Sequence, residues 1–247
     1  MAEAKELDGL VAIVTGSSRN IGKAIAETLA RAGAKLAINA RSSEAAARDV
    51  VSGIQAQGGD AMVAMADVTD SEAVARMVAL VVDAWGRVDI LVNNANVHGV
   101  KAFEELTYED WRGTMNIALD AVFHCTKACY PLLKRHGGSI VNIGGSAGHM
   151  PYEGRVPVSA AKAGLAGMTR ALAREAAAHG INVNCIAPGP VNTIRHVPSK
   201  SDPTKIPFGR FAEPDEVAHV VRMLCSAKGR YTTGQTIHVN GGLYMNN

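Results

Sequence analysis

Aromatic side chains are scarce in this chain: they make up 4% of its 247 residues, against 47% apolar residues in all. A core must therefore be built from Ala, Val, Ile, Leu and Met, a mix suited to a parallel sheet buried under Ala-rich helices. An excess of one charge is also missing. The net charge of +2 gives no electrostatic ground for a nucleic-acid or anionic-membrane partner, which leaves a small molecule. No apolar run approaches the roughly 18 residues that a membrane span needs. Residues 1–10 are charged and lack the apolar stretch of a signal peptide. The four cysteines, Cys125, Cys129, Cys185 and Cys225, form no CxxC pair and no Cys/His metal spacing. Buried thiols are expected, with no metal site, in a reduced cytoplasmic compartment.

What is present is a regular alternation. Strand-like runs cover 10–15, 36–39, 61–66, 90–93, 139–143, 181–186 and 236–239. Helical spacing covers 21–32, 44–57, 71–85, 108–135, 159–179 and 214–226. Asp70 is the cap candidate for the third helix, Pro131 a potential break in the fourth, and Gly180 the stop after 179. This rhythm predicts an α/β fold: a single-domain Rossmann-type doubly wound parallel sheet of about seven strands flanked by helices, over 1–247. The one long irregular stretch, 188–211, holds five prolines and reads as a substrate or lid loop.

The segment from Thr15 to Gly22 follows the first strand and opens the first helix. Gly16 permits a tight turn close to a pyrophosphate, and Gly22 lets helix and sheet approach. The free N–H groups around Ser18, Arg19, Asn20 and Ile21 offer a helix N-terminus to phosphate. Asn20 stands where a third glycine is usual, and Asn tolerates a left-handed backbone better than most residues. The second strand ends Asn39-Ala40-Arg41-Ser42, without the carboxylate that holds the 2′-hydroxyl of NAD. Arg41 and Arg19, with Ser42 alongside, suit a 2′-phosphate, so NADP(H) is favoured.

With the glycine turn, Asp67-Val68, Asn93-Asn94-Ala95, Asn116, Lys162 and Pro188-Gly189 in order, residues 7–242 resemble the short-chain dehydrogenase/reductase family. The C-terminal half is especially similar to the β-ketoacyl-carrier-protein reductases. The resemblance implies that Asp67 and Val68 hold adenine, and that Asn94 and Ala95 lie on the adenosine ribose side; Asn96, next in the run, is counted among the cofactor-binding residues. It implies that Pro188, Gly189, Val191 and Thr193 hold the nicotinamide end. Lys162 would bond the nicotinamide ribose, and Asn116 would anchor a water in a proton relay. It also implies a homo-oligomer, dimer or tetramer, joined through the helices around 108–135 and 157–179.

The same resemblance exposes departures. The family's acid/base Tyr stands four residues before the Lys, where this chain has Val158, and its Ser falls on Gly145. Asn96 and Asn20 replace family glycines. Ser146 is one residue out of register and is set aside, because Gly148 aligns as it stands. Tyr152, His98 and His149 are the candidate substitute proton donors. The favoured reading is an NADPH-dependent oxidoreductase with an atypical donor such as Tyr152, acting on a small carbonyl or an activated C=C. The 2,4-dienoyl-CoA reductases of the same family also lack Tyr at that place, although no basic CoA-binding cluster is visible. The rivals are a non-redox lyase, dehydratase or hydrolase, and an inactive NADP-binding paralogue.

Overall fold

The computed structural model describes residues 5–96, 99–194 and 202–245. Seven strands form one sheet: β1 (Val11–Val14), β2 (Lys35–Ile38), β3 (Ala61–Val63), β4 (Ile90–Asn93), β5 (Gly138–Ile143), β6 (Ile181–Pro188) and β7 (Thr236–Val239). Their order is β3-β2-β1-β4-β5-β6-β7, and every neighbouring pair is parallel. The central strands β1, β4, β5 and β6 are buried along their whole length, which is why they read as continuous apolar runs rather than alternating ones. Side chains still alternate between layers. In β1, Ala12 and Val14 join the core under α1 (Asn20–Arg31), α2 (Glu44–Ala56) and α7 (Pro214–Cys225). Val11 and Ile13 join the opposite core under α3 (Ser71–Trp85), α5 (Ala121–His136) and α6 (Val156–Ala176). Among the described residues no aromatic side chain is buried in either core, and all four cysteines are buried and free. No helix of the described residues is long and apolar enough to cross a membrane.

Local chemistry sets the element ends. Asp70 caps α3, its carboxylate accepting from the N–H groups of Glu72 and Ala73, and Gly86 ends the helix in a left-handed turn at φ 76°. α6 starts at Val156, three residues ahead of the expected 159, because Pro157 fits a first turn that needs no N–H partner. A 3-10 turn then carries the chain to Gly180, as expected. The fourth expected helix needs correction. Pro131 does not break it: Pro131 sits on the exposed side of α5, while Cys125, Cys129 and Leu133 pack the other side into the core. The irregularity lies upstream, where Asn116–Asp120 form a π-helical turn between α4 (Tyr108–Met115) and α5. In the expected lid stretch, Val191 bridges to Ala212 and a 3-10 turn spans Pro203–Lys205. Residues 195–201 of that stretch, and His98, lie outside the described residues.

Candidate active site

The C-terminal ends of the strands converge where the connections on either side of β1 diverge, the place a parallel sheet leaves a crevice. At the β1 exit Gly16 takes φ 62°, and a Cβ there would lie 3.0 Å from the Ala95 Cα. A Cβ on Gly22 would lie 2.3 Å from the Gly16 carbonyl oxygen. Both glycines are thus required by close backbone approach. Asn20 adopts φ 52°, the left-handed backbone expected of it.

Two side-chain amides, buried Asn39 and half-buried Asn94, fix this turn. Asn39 Oδ1 accepts from the Gly16 N–H at 3.1 Å, while its Nδ2 donates to the carbonyls of Ala64 and Ala66 at 3.0 and 3.2 Å. The ends of β1, β2 and β3 are so held by one side chain. The Asn94 Nδ2 donates to the carbonyls of Thr15 and Gly16, and Thr15 Oγ1 accepts from the backbone N–H of both Asn94 and Ala95. The Asn94 Nδ2 is therefore engaged in bracing β4 against the turn.

One cavity of about 1160 Å³ is lined by every expected cofactor-binding residue and by Asn116, Tyr152 and Lys162, from Gly16, Arg19, Asn20 and Arg41 through Asp67 and Asn96 to Thr193. Burial pushes the Asp67 carboxyl up, but the two bonds it accepts from Thr69 and the nearby Arg41 charge outweigh this, and its pKa ends below the ordinary value. Lys162 is 4% exposed. Its Nζ donates to the Ile143 carbonyl at 2.9 Å, and burial, slightly opposed by the Cys185 side chain, brings its pKa down to about 8.

The alkyl side chain of Val158 lines the cavity one helical turn before Lys162. At Gly145 an added Cβ would meet nothing within 4 Å. Beside them the Tyr152 hydroxyl lies 2.9 Å from Ser146 Oγ, with either oxygen able to donate. The Arg155 guanidinium stands over the Tyr152 ring, 5.4 Å from its centroid. The loop carrying them is tied down from outside: the Lys101 N–H donates to the Gly154 carbonyl at 2.9 Å, and Lys101 pairs with Asp110, whose carboxyl that bond holds at about 2. Under the site a buried polar chain runs from Asn93 to Asn142 Oδ1 at 2.8 Å, and from Asn142 to Thr169 Oγ1 at 2.9 Å. It locks β4, β5 and α6 together.

His149 is not at the site. It turns away from the cavity and packs against His238 and Tyr244, with ring centroids 4.6 and 5.8 Å away. Ser146 and Arg155 were not among the expected site residues. Ser146 reaches Tyr152 because residues 146–148 coil into a 3-10 turn, for which three residues carry no periodic signal. Arg155 precedes the first turn of α6, and only the early start of that helix places it over the ring.

The family model described as Enoyl-(Acyl carrier protein) reductase matches residues 16–244. A 3-oxoacyl-(acyl-carrier-protein) reductase of Synechocystis sp. is 40% identical over 243 residues, spanning 97% of this chain and 98% of its own length. A dehydrogenase/reductase from Sinorhizobium meliloti 1021 matches with a TM-score of 0.94 at 35% identity, over 98% of each chain. A short chain dehydrogenase from Burkholderia cenocepacia J2315, solved in complex with NADP, matches with a TM-score of 0.91 at 36% identity, over 96% of this chain and 99% of its own. The seven-stranded parallel sheet and these matches agree: the chain belongs to the short-chain dehydrogenase/reductase family of oxidoreductases.

Proposed function

We propose that this protein is an NADPH-dependent reductase of a small carbonyl compound or an activated C=C substrate, with Tyr152 as its proton donor. The observation that carries the reading is the Ser146–Tyr152 hydroxyl pair at 2.9 Å, on the cavity that also holds Lys162 and Asn116. The residues fit the cofactor. Gly16 and Gly22 clear a cradle that a Cβ would fill, and the backbone N–H groups at the start of α1 face phosphate. Arg19 and Arg41 line the same cavity, and guanidinium groups suit a 2′-phosphate where no ribose-binding acid stands. Asp67 and Val68 take the adenine, Asn94, Ala95 and Asn96 the adenosine ribose, and Pro188, Gly189, Val191 and Thr193 the nicotinamide end.

When bound, the cofactor supplies the hydride, and the chain supplies orientation and a proton. Lys162 holds the nicotinamide ribose. Tyr152 gives its hydroxyl proton to the substrate atom that gains negative charge, the oxygen of a carbonyl or the carbon beside it in an enone. The Ser146 hydroxyl orients the phenol, and Arg155 holds the ring from its face. Asn116, in the π-helical turn, anchors water through which the donor is reprotonated; such turns recur at functional sites. The lyase, dehydratase, hydrolase and binding-only readings draw no support from a cavity so arranged.

We also read the chain as a single dinucleotide-binding domain and the protein as a homo-oligomer, dimer or tetramer. Phe123 on α5 is 54% exposed and Val156 at the start of α6 is 41% exposed, apolar surface that a second copy would cover.

The test is Tyr152→Phe, assayed by NADPH oxidation with 3-oxoacyl thioesters and enones. The turnover number is expected to fall about 100-fold or more, as for loss of a general acid, with NADPH affinity unchanged. Unaltered turnover would remove Tyr152 from the chemistry.

A further inference from the structure

The phosphate turn and the segment after β6 are joined by one side chain. Asn20 Nδ2 donates to the Ile194 carbonyl at 3.0 Å, and the Ile194 N–H donates to Asn20 Oδ1 at 3.0 Å. A primary amide offers a donor and an acceptor in one plane, so it closes a ring of two bonds on the backbone of a single residue. Glycine, usual at position 20 in this motif, offers neither group. Asn20 is the only non-glycine residue with positive φ among the described residues. Asn20 lines the cavity with Arg19 and Ile21, and Val191 and Thr193, which lead to Ile194, line it too. The far end of the second segment is fixed as well. Ala212 N–H donates to the Pro190 carbonyl at 3.0 Å, and Asn192 N–H donates to the Ala212 carbonyl at 2.8 Å. Residues 191–194 are thus held at both ends, with Thr193 between the anchors.

We propose that Asn20 is a positioning residue that latches residues 191–194 to the phosphate turn and so slows exchange of the dinucleotide. The proposal rests on the reading of the cavity as an NADP(H) site. It also gives position 20 a role other than direct contact with phosphate: both ends of the amide are engaged by Ile194, and the residue's share in cofactor binding lies in holding the segment after β6.

Asn20→Gly tests this, because glycine adopts the left-handed backbone freely and the variant keeps the turn. Two readouts are needed. Hydrogen exchange at the Ile194 amide of the cofactor-free protein is expected to quicken about three- to tenfold, the factor that two modest exposed hydrogen bonds supply. The NADPH dissociation rate, followed by stopped-flow displacement, is expected to rise by a similar factor. Unchanged exchange at Ile194 would overturn the latch itself. Faster exchange with an unchanged dissociation rate would overturn its control of the cofactor. A wild-type protein that binds no NADPH would overturn the cofactor reading and the gating role together, while the exchange at Ile194 would still report whether the two bonds exist.

Discussion

Lys162 shows how one residue carries both the site and a stability penalty. Its ammonium is buried at 4% exposure with the Ile143 carbonyl as acceptor, and burial depresses its pKa from 10.5 to about 8. A depressed folded-state pKa means that stability is complete above 10.5, declines as the pH falls toward about 8, and is level below that. Near neutral pH the buried charge therefore opposes folding by ~3 kcal/mol, offset in part by ~1 kcal/mol from its hydrogen bond. Lys162→Met is expected to unfold at higher urea at pH 7, by ~2 kcal/mol, and the gap to wild type should narrow by ~1 kcal/mol at pH 9. A variant less stable at pH 7, or a gap independent of pH, would contradict that account. Lys162 was legible in the sequence because it stands in register with other family motifs. Ser146 was not, because its approach to Tyr152 depends on a turn of three residues that no spacing rule detects.

At the level of elements, helices were legible wherever one residue pattern persisted for a dozen positions, as in α3, whose ends fall at 71 and 85 as expected. The patterns failed where tertiary packing overrode a local signal. Pro131 removes one backbone donor from α5, yet the helix continues because Cys125, Cys129 and Leu133 anchor its other side. Such a proline remains unfavourable. Pro131→Ala should raise unfolding stability by about 1 kcal/mol or more, since the side chain is exposed and no packing is lost. Loss of stability on urea unfolding would show that Pro131 has a favourable contact. The π-helical turn at 116–120 was equally hidden. It inserts an extra residue between two ordinary helices at Asn116, whose place on the cavity the family motif had implied but whose π-helical backbone it had not.

At the level of the molecule, the strand order sets the crevice, and the crevice collects residues that are far apart in sequence. That assembly was legible because each strand exit carries its own short motif. The contacts that close it were not, since a bond such as that from Asn20 to Ile194 joins positions 174 residues apart. The central claim is that this crevice holds NADPH in preference to NADH through Arg41 and Arg19. The most direct test is a titration of wild type and Arg41→Ala with each dinucleotide, followed by nicotinamide fluorescence. The account predicts micromolar NADPH binding, NADH binding about tenfold weaker or more, and a variant that loses mainly NADPH affinity. Equal affinities in the wild type, equal losses in the variant, or no binding of either dinucleotide would contradict it.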